Sequence, residues 1–180
     1  MTESHTLPEG LAACLRRTGV AIAVSAAERG GDAPLMFVNQ GFETLTGYDA
    51  AEVIGRNCRF LQGPDTQGVD RAALRAFVAG KGEDSGRFPI LNYRKDGTTF
   101  QNYVFMTRIR DSADELRYIL ASQFDMTNAL QRKGIGANDA QLRRALVDVE
   151  QIGRHHGLAM MTSAQQLADS VAVMARLSLL

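Results

Sequence analysis

Gly55-Arg56-Asn57-Cys58-Arg59-Phe60-Leu61-Gln62-Gly63 is the stretch from which the rest of the chain can be read. It holds a thiol, two guanidinium groups and two carboxamides, and glycine closes it at both ends. It lies in a segment, from about Asn39 to Gly80, that Gly41, Gly47, Gly55, Gly63 and Gly68 punctuate, so helices there must be short. The clearest is Val69–Val78, which places Leu74, Phe77 and Val78 on one side.

On either side the pattern changes to strands. Upstream, Val20–Ser25 and Leu35–Val38 are apolar and β-branched, with Glu28-Arg29-Gly30-Gly31-Asp32 as a hairpin-type turn between them. Downstream, Arg87–Arg94 and Thr99–Arg110 flank Lys95-Asp96-Gly97, a turn in which glycine accepts positive φ at no steric cost. Glu115–Asp125 is the last strand, reached through Asp111-Ser112-Ala113-Asp114. Two strands, short helices and three strands predict an α+β domain: a five-stranded antiparallel sheet with short helices on one face. Leu11–Arg17 predicts a turn or two of helix as an N-terminal cap. Beyond Met126, Gly134-Ile135-Gly136 interrupts any helix, and Asn138 with Gln141 forms a capping box ahead of Leu142, Leu146, Val149 and Ile152. Ser163 with Gln166 repeats that signal ahead of Leu167, Val171, Met174 and Leu177. The expected division is therefore an N-terminal cap over 1–18, the main domain over 19–126, and an extension of two or three helices over 127–180.

The nine residues around Cys58 resemble, position for position, the signature of light-oxygen-voltage (LOV) domains, a flavin-binding branch of the PAS fold. The resemblance runs over roughly Val20–Asp125. Arg75 follows Cys58 by 17 positions, the usual place of the family's second phosphate-binding arginine. Asn92, Asn102 and Gln123 match the family's flavin-contacting amides. The resemblance implies FMN as cofactor, because the loop between Cys58 and Arg75 is short. Asn57, Arg59, Gln62, Arg75, Asn92, Asn102 and Gln123 are its polar contacts, and Ile22, Val24, Leu61, Leu91, Val104, Met106 and Ile119 its apolar lining. It also implies that blue light drives a reversible bond between the Cys58 sulfur and flavin C4a, and that Gln123, near flavin N5, relays the signal.

These residue types suit that chemistry on independent grounds. The pyrimidine edge of a flavin offers N–H and C=O groups, and a carboxamide carries both a donor and an acceptor. Arginine forks match a phosphate in bidentate fashion. When N5 changes from acceptor to donor, a buried amide can follow by rotating. Leaving the new N–H unpaired would cost roughly 1–3 kcal/mol, enough to shift a two-state element by about tenfold or more.

Composition weakens other classes without excluding a local charged patch. Lys+Arg and Asp+Glu are both 20, giving zero formal net charge and no global pull on nucleic acid or an anionic membrane. No apolar run approaches the ~18 residues of a membrane span. Met1–Gly10 lacks the features of a signal peptide, so a cytoplasmic location is expected, with Cys14 and Cys58 both reduced and Cys14 an inert buried thiol. His155-His156 has no acidic or thiol ligands at metal-site spacing, and no metal is expected.

Output is expected through self-association or docking to a separate effector protein. Four Arg and four acids over Gly134–Leu180 give no basic face, and the apolar helix stripes there predict a homodimer in at least one light state. The chain reads as a sensor rather than an enzyme, in the manner of short LOV proteins. A flavin redox sensor using the same pocket is the alternative, and the presence of Cys58 favours light. The chain departs from the family at Gln101, Val104 and Ile119, where aromatic residues are common, and at Met106, where leucine is common, so a looser pocket and an altered adduct lifetime are expected.

Overall fold

The computed structural model describes residues 7, 9–27, 32–110 and 113–127. Helix α1 spans Glu9–Arg17, and strands β1 (Ala21–Ala26) and β2 (Leu35–Val38) form the first hairpin. Helices α2 (Gln40–Thr46) and α3 (Ala50–Val53), a 3₁₀ turn over Cys58–Leu61 and helix α4 (Gly68–Val78) follow. Strands β3 (Ser85–Tyr93), β4 (Thr99–Arg110) and β5 (Leu116–Asp125) complete the domain. Among the described residues each expected helix and strand is found, with its ends moved by no more than two residues. The helices expected after 127 lie outside the described residues, as do the side chain of Cys14 and the pair His155-His156.

The sheet is antiparallel with strand order β2-β1-β5-β4-β3, so β5 is central although it comes last in the chain. Gln123 on β5 pairs with Ala21 on one side and Val104 on the other. The two faces of the sheet have different cores. On the outer face, Leu11 and Leu15 of α1 pack on Ile22, Val24, Ile109, Tyr118 and Leu120. On the inner face, one cluster joins Ala23, Leu35, Phe42, Val53 and Leu61, and a second joins Phe77, Ile90, Val104, Met106 and Ile119. The cavity described below borders both inner clusters.

Asn39, almost fully buried, ties α1, β1 and α2 together. Its Oδ1 accepts the N–H of Phe42 at 3.0 Å, capping α2, and that of Ile22 at 2.9 Å. Its Nδ2 donates to the carbonyls of Leu15, Thr18 and Val20. Asn39→Ala removes the cap and strands several buried partners, so a loss of about 3 kcal/mol is expected. Urea unfolding measures it directly; a loss within a few tenths of a kcal/mol would mean that the bonds are replaced by water.

Candidate functional site

Local structure around Cys58 follows from its flanks. Gly55 takes φ 82°, and its N–H donates to Leu35 O at 2.7 Å, so the signature begins fastened to β2. The Asn57 side chain accepts the N–H of Arg59 at 2.9 Å and so starts the 3₁₀ turn. After the turn, a Cβ at Gly63 would stand 2.4 Å from the Tyr93 ring, so only glycine lets the chain pass there without displacing that ring. Thr66 then accepts the N–H of Gly63 at 3.0 Å and donates to Leu91 O at 2.8 Å, which pins the loop to β3.

A cavity opens between this turn, α4 and the inner face of the sheet. Cys58, Leu61 and Gln62 border it from the turn, together with Asn57 and Arg59. Leu74 and Val78 border it from α4. Every second residue of the strands completes it: Ala23 and Ser25 on β1, Ile90 and Asn92 on β3, Asn102, Val104 and Met106 on β4, and Ile119, Ala121 and Gln123 on β5. Ala33 and Leu35 close the β2 side.

Three expected lining residues are placed elsewhere. Ile22 and Val24 belong to the outer cluster under α1, because alternate residues of a strand face opposite sides and here Ala23 and Ser25 face the cavity. Leu91 is buried but out of phase with Ile90 and Asn92 in the same way. Arg75 does not border the cavity either; it is exposed on α4 beside Leu74. Sequence reasoning missed Ala23, Ser25, Ala33, Leu35, Leu74, Val78, Ile90 and Ala121. The alternation from Gln123 to Ala121 and Ile119 could have found part of that set, whereas the alanines carry no chemical signal of their own.

The polar groups of the cavity form a chain. Asn92 Nδ2 donates to Leu61 O at 3.2 Å, and Asn102 Nδ2 donates both to Asn92 Oδ1 and to Gln123 Oε1, each at 2.8 Å. This chain runs from the Cys58 turn across β3 and β4 to the central strand. Two of its atoms are left over: Asn102 Oδ1, an acceptor, and Gln123 Nε2, a donor, are buried without a partner. Buried polar atoms are nearly always paired, and an orphan costs about 1–3 kcal/mol. A ligand edge that presents both an N–H and a C=O would satisfy both, so these residues fit the polar edge of a flavin. The apolar strand residues fit its ring system. At the mouth the Arg59 guanidinium lies exposed and bonded to Asp32.

Burial pushes the Cys58 thiol up to about 12, and no nearby cation offsets it. The residue keeps partial exposure at the cavity edge, but at neutral pH the sulfur holds its proton. Iodoacetamide is therefore expected to modify Cys58 at least about a hundredfold more slowly in the folded flavin-free protein than in urea, with the rate climbing as the pH approaches 12. Mass analysis of the Cys58 peptide checks this; fast alkylation at pH 8 would contradict it. Among the described residues no group of His, Cys, Asp and Glu can hold a metal ion, and no helix is long and apolar enough to cross a membrane.

A family model described as a PAS domain matches residues 19–128. A blue-light-activated histidine kinase of Rhizobium johnstonii is 38% identical over 139 residues, covering 77% of this chain and 39% of the relative. The chain thus spans about two fifths of that relative's length. The solved LOV domain of an Erythrobacter litoralis blue-light activated histidine kinase is similar at 34% identity and TM-score 0.57, over 62% of this chain and 99% of that one. The light-state dimer of the fungal blue-light photoreceptor Vivid is similar at 25% identity and TM-score 0.55, over 60% and 78%.

Proposed function

Because the chain belongs to the PAS domain family, in its bacterial-type LOV branch, we propose that it is a blue-light photoreceptor that holds FMN in the cavity and bonds it reversibly through Cys58. The observation that carries this reading is the orphaned pair Asn102 Oδ1 and Gln123 Nε2, buried in the same cavity that a protonated Cys58 borders. A bound flavin would supply absorption of blue light and an electrophilic carbon, with proton uptake at a neighbouring nitrogen. The chain's own residues supply the rest. Asn92 and Asn102 read the polar edge, and Asn57 and Gln62 line the turn side. Arg59 at the mouth and Arg75 on the exposed flank of α4 take the phosphate. Cys58 brings both a sulfur and a proton, because its thiol is not ionised at neutral pH. A light–dark absorption cycle on the purified chain tests the reading.

Gln123 passes the event on in this reading. Two positions along β5, Asp125 Oδ1 accepts the N–H of Thr127 at 2.9 Å while its Oδ2 accepts from Arg94 at 2.6 Å. Arg94 also donates to Leu45 O and lies 4.3 Å over the Phe100 ring. Met126 N–H donates to Gln101 O at 2.8 Å. The end of β5 is thereby fastened to α2 and β4, at the point where the chain leaves the sheet. A change at Gln123 would bias that joint, and the residues beyond it would carry output as self-association or as docking to a separate effector. Truncation after Met126 is expected to keep the light response of the flavin while abolishing any light-dependent change in size. Size-exclusion chromatography in dark and light decides it, and a retained size change would place the interface on the domain itself.

A further inference from the structure

Arg108 follows Met106 on the cavity face of β4, and its side chain is 1% exposed. Its Nη2 donates to Phe77 O at 2.7 Å and to Lys81 O at 2.6 Å, its Nη1 to Gly82 O at 3.0 Å, and its Nε to Phe77 O at 3.3 Å. These carbonyls belong to the last turn of α4 and the segment after it. There a helix runs out of N–H partners and presents the negative end of its dipole. The guanidinium also stacks 4.3 Å over the Phe77 ring. Asp84 approaches it at 3.5 Å but is bound more closely by Arg110, at 3.1 Å through each oxygen. A fully desolvated cation is thus compensated mainly by helix-end carbonyls rather than by an acid. At the other end of α4, Arg71 donates to Gly63 O.

Between these two fastenings α4 presents Leu74 and Val78 to the cavity, with Arg75 beside them. We propose that Arg108 is a positioning residue for the cofactor site. By holding the C-terminal end of α4, it sets where Leu74, Val78 and Arg75 stand, and so how strongly the site prefers a phosphorylated flavin over an unphosphorylated one. The inference rests on the flavin reading above.

The test is fluorescence titration of FMN and of riboflavin into the flavin-free full chain, as wild type, Arg108→Met, Arg108→Lys and Leu120→Ala. Arg108→Met is expected to weaken FMN about tenfold and riboflavin less than about threefold, because the phosphate increment depends on α4. Arg108→Lys keeps a cation and donors for two carbonyls, and is expected to restore most of the preference. Leu120→Ala opens the outer core under α1 and should weaken both ligands alike. An unchanged FMN-to-riboflavin ratio in Arg108→Met, or a lysine variant as poor as the methionine one, would overturn the proposal and assign Arg108 to stability alone. So would a wild type with no preference between the two flavins. If Arg108→Met gives no folded protein, Arg108→Gln takes its place: a preference lowered at least about threefold supports the role, and an unchanged one removes it. A wild type that takes up neither flavin overturns the flavin reading and this inference together.

Discussion

Cys58→Ala is expected to give a protein that still takes up flavin but whose visible absorption band no longer falls under blue light. The effect is expected to be complete, because among the described residues Cys58 is the one cysteine that borders the cavity. Helix α1, which carries Cys14 in its backbone, packs by Leu11 and Leu15 on the face of the sheet opposite the cavity. Alanine fills the space of the Cβ and removes only the sulfur. The amide chain, the apolar walls and Arg59 at the mouth are untouched, and flavin affinity should change by less than about threefold. Bleaching at the wild-type rate in this variant would mean that the light reaction uses another group, and the assignment of Cys58 would fall.

Asn102→Leu carries the second large effect, and it acts on binding. Leucine is close to asparagine in size, so the backbone of β4 need not move. What it removes is the hub of the polar chain: the donor to both Asn92 Oδ1 and Gln123 Oε1, and the unpartnered acceptor Oδ1. With a flavin bound, one ligand donor loses its acceptor, and two neighbouring amides lose the contact that orients them. Unmet buried polar groups cost about 1–3 kcal/mol each, so FMN affinity is expected to fall about 10- to 100-fold. Titration in the dark measures this without any photochemistry. An unchanged affinity would show that the ligand's polar edge is not held at Asn102.

Much of the fold could be read in the sequence because its signals are local. Gly97 marks the β3–β4 turn by its positive φ, and glycines on either side of Cys58 confine that segment to a short turn. The strands are central enough that apolar residues run along both faces. That same property hid the facing of β1: all of Ala21–Val24 is buried, so composition does not tell which pair faces the cavity. The resemblance put Ile22 and Val24 there, whereas the smaller Ala23 and Ser25 line it. Leu91 failed for the same reason of phase. Chemically distinctive residues were easier, and Cys58, Asn92, Asn102 and Gln123 all border one cavity. Residues whose partners are distant in sequence were not legible. Asn39 binds carbonyls around α1, and Arg108 binds carbonyls at the end of α4, contacts that exist only once the sheet has formed.

The most direct measurement is the absorption spectrum of the purified chain loaded with FMN, taken in the dark, after blue light, and again after return to darkness. A flavin band that is lost under light and recovers spontaneously in the dark is expected. A chain that takes up no flavin, or one whose flavin band is unchanged by light, would contradict it.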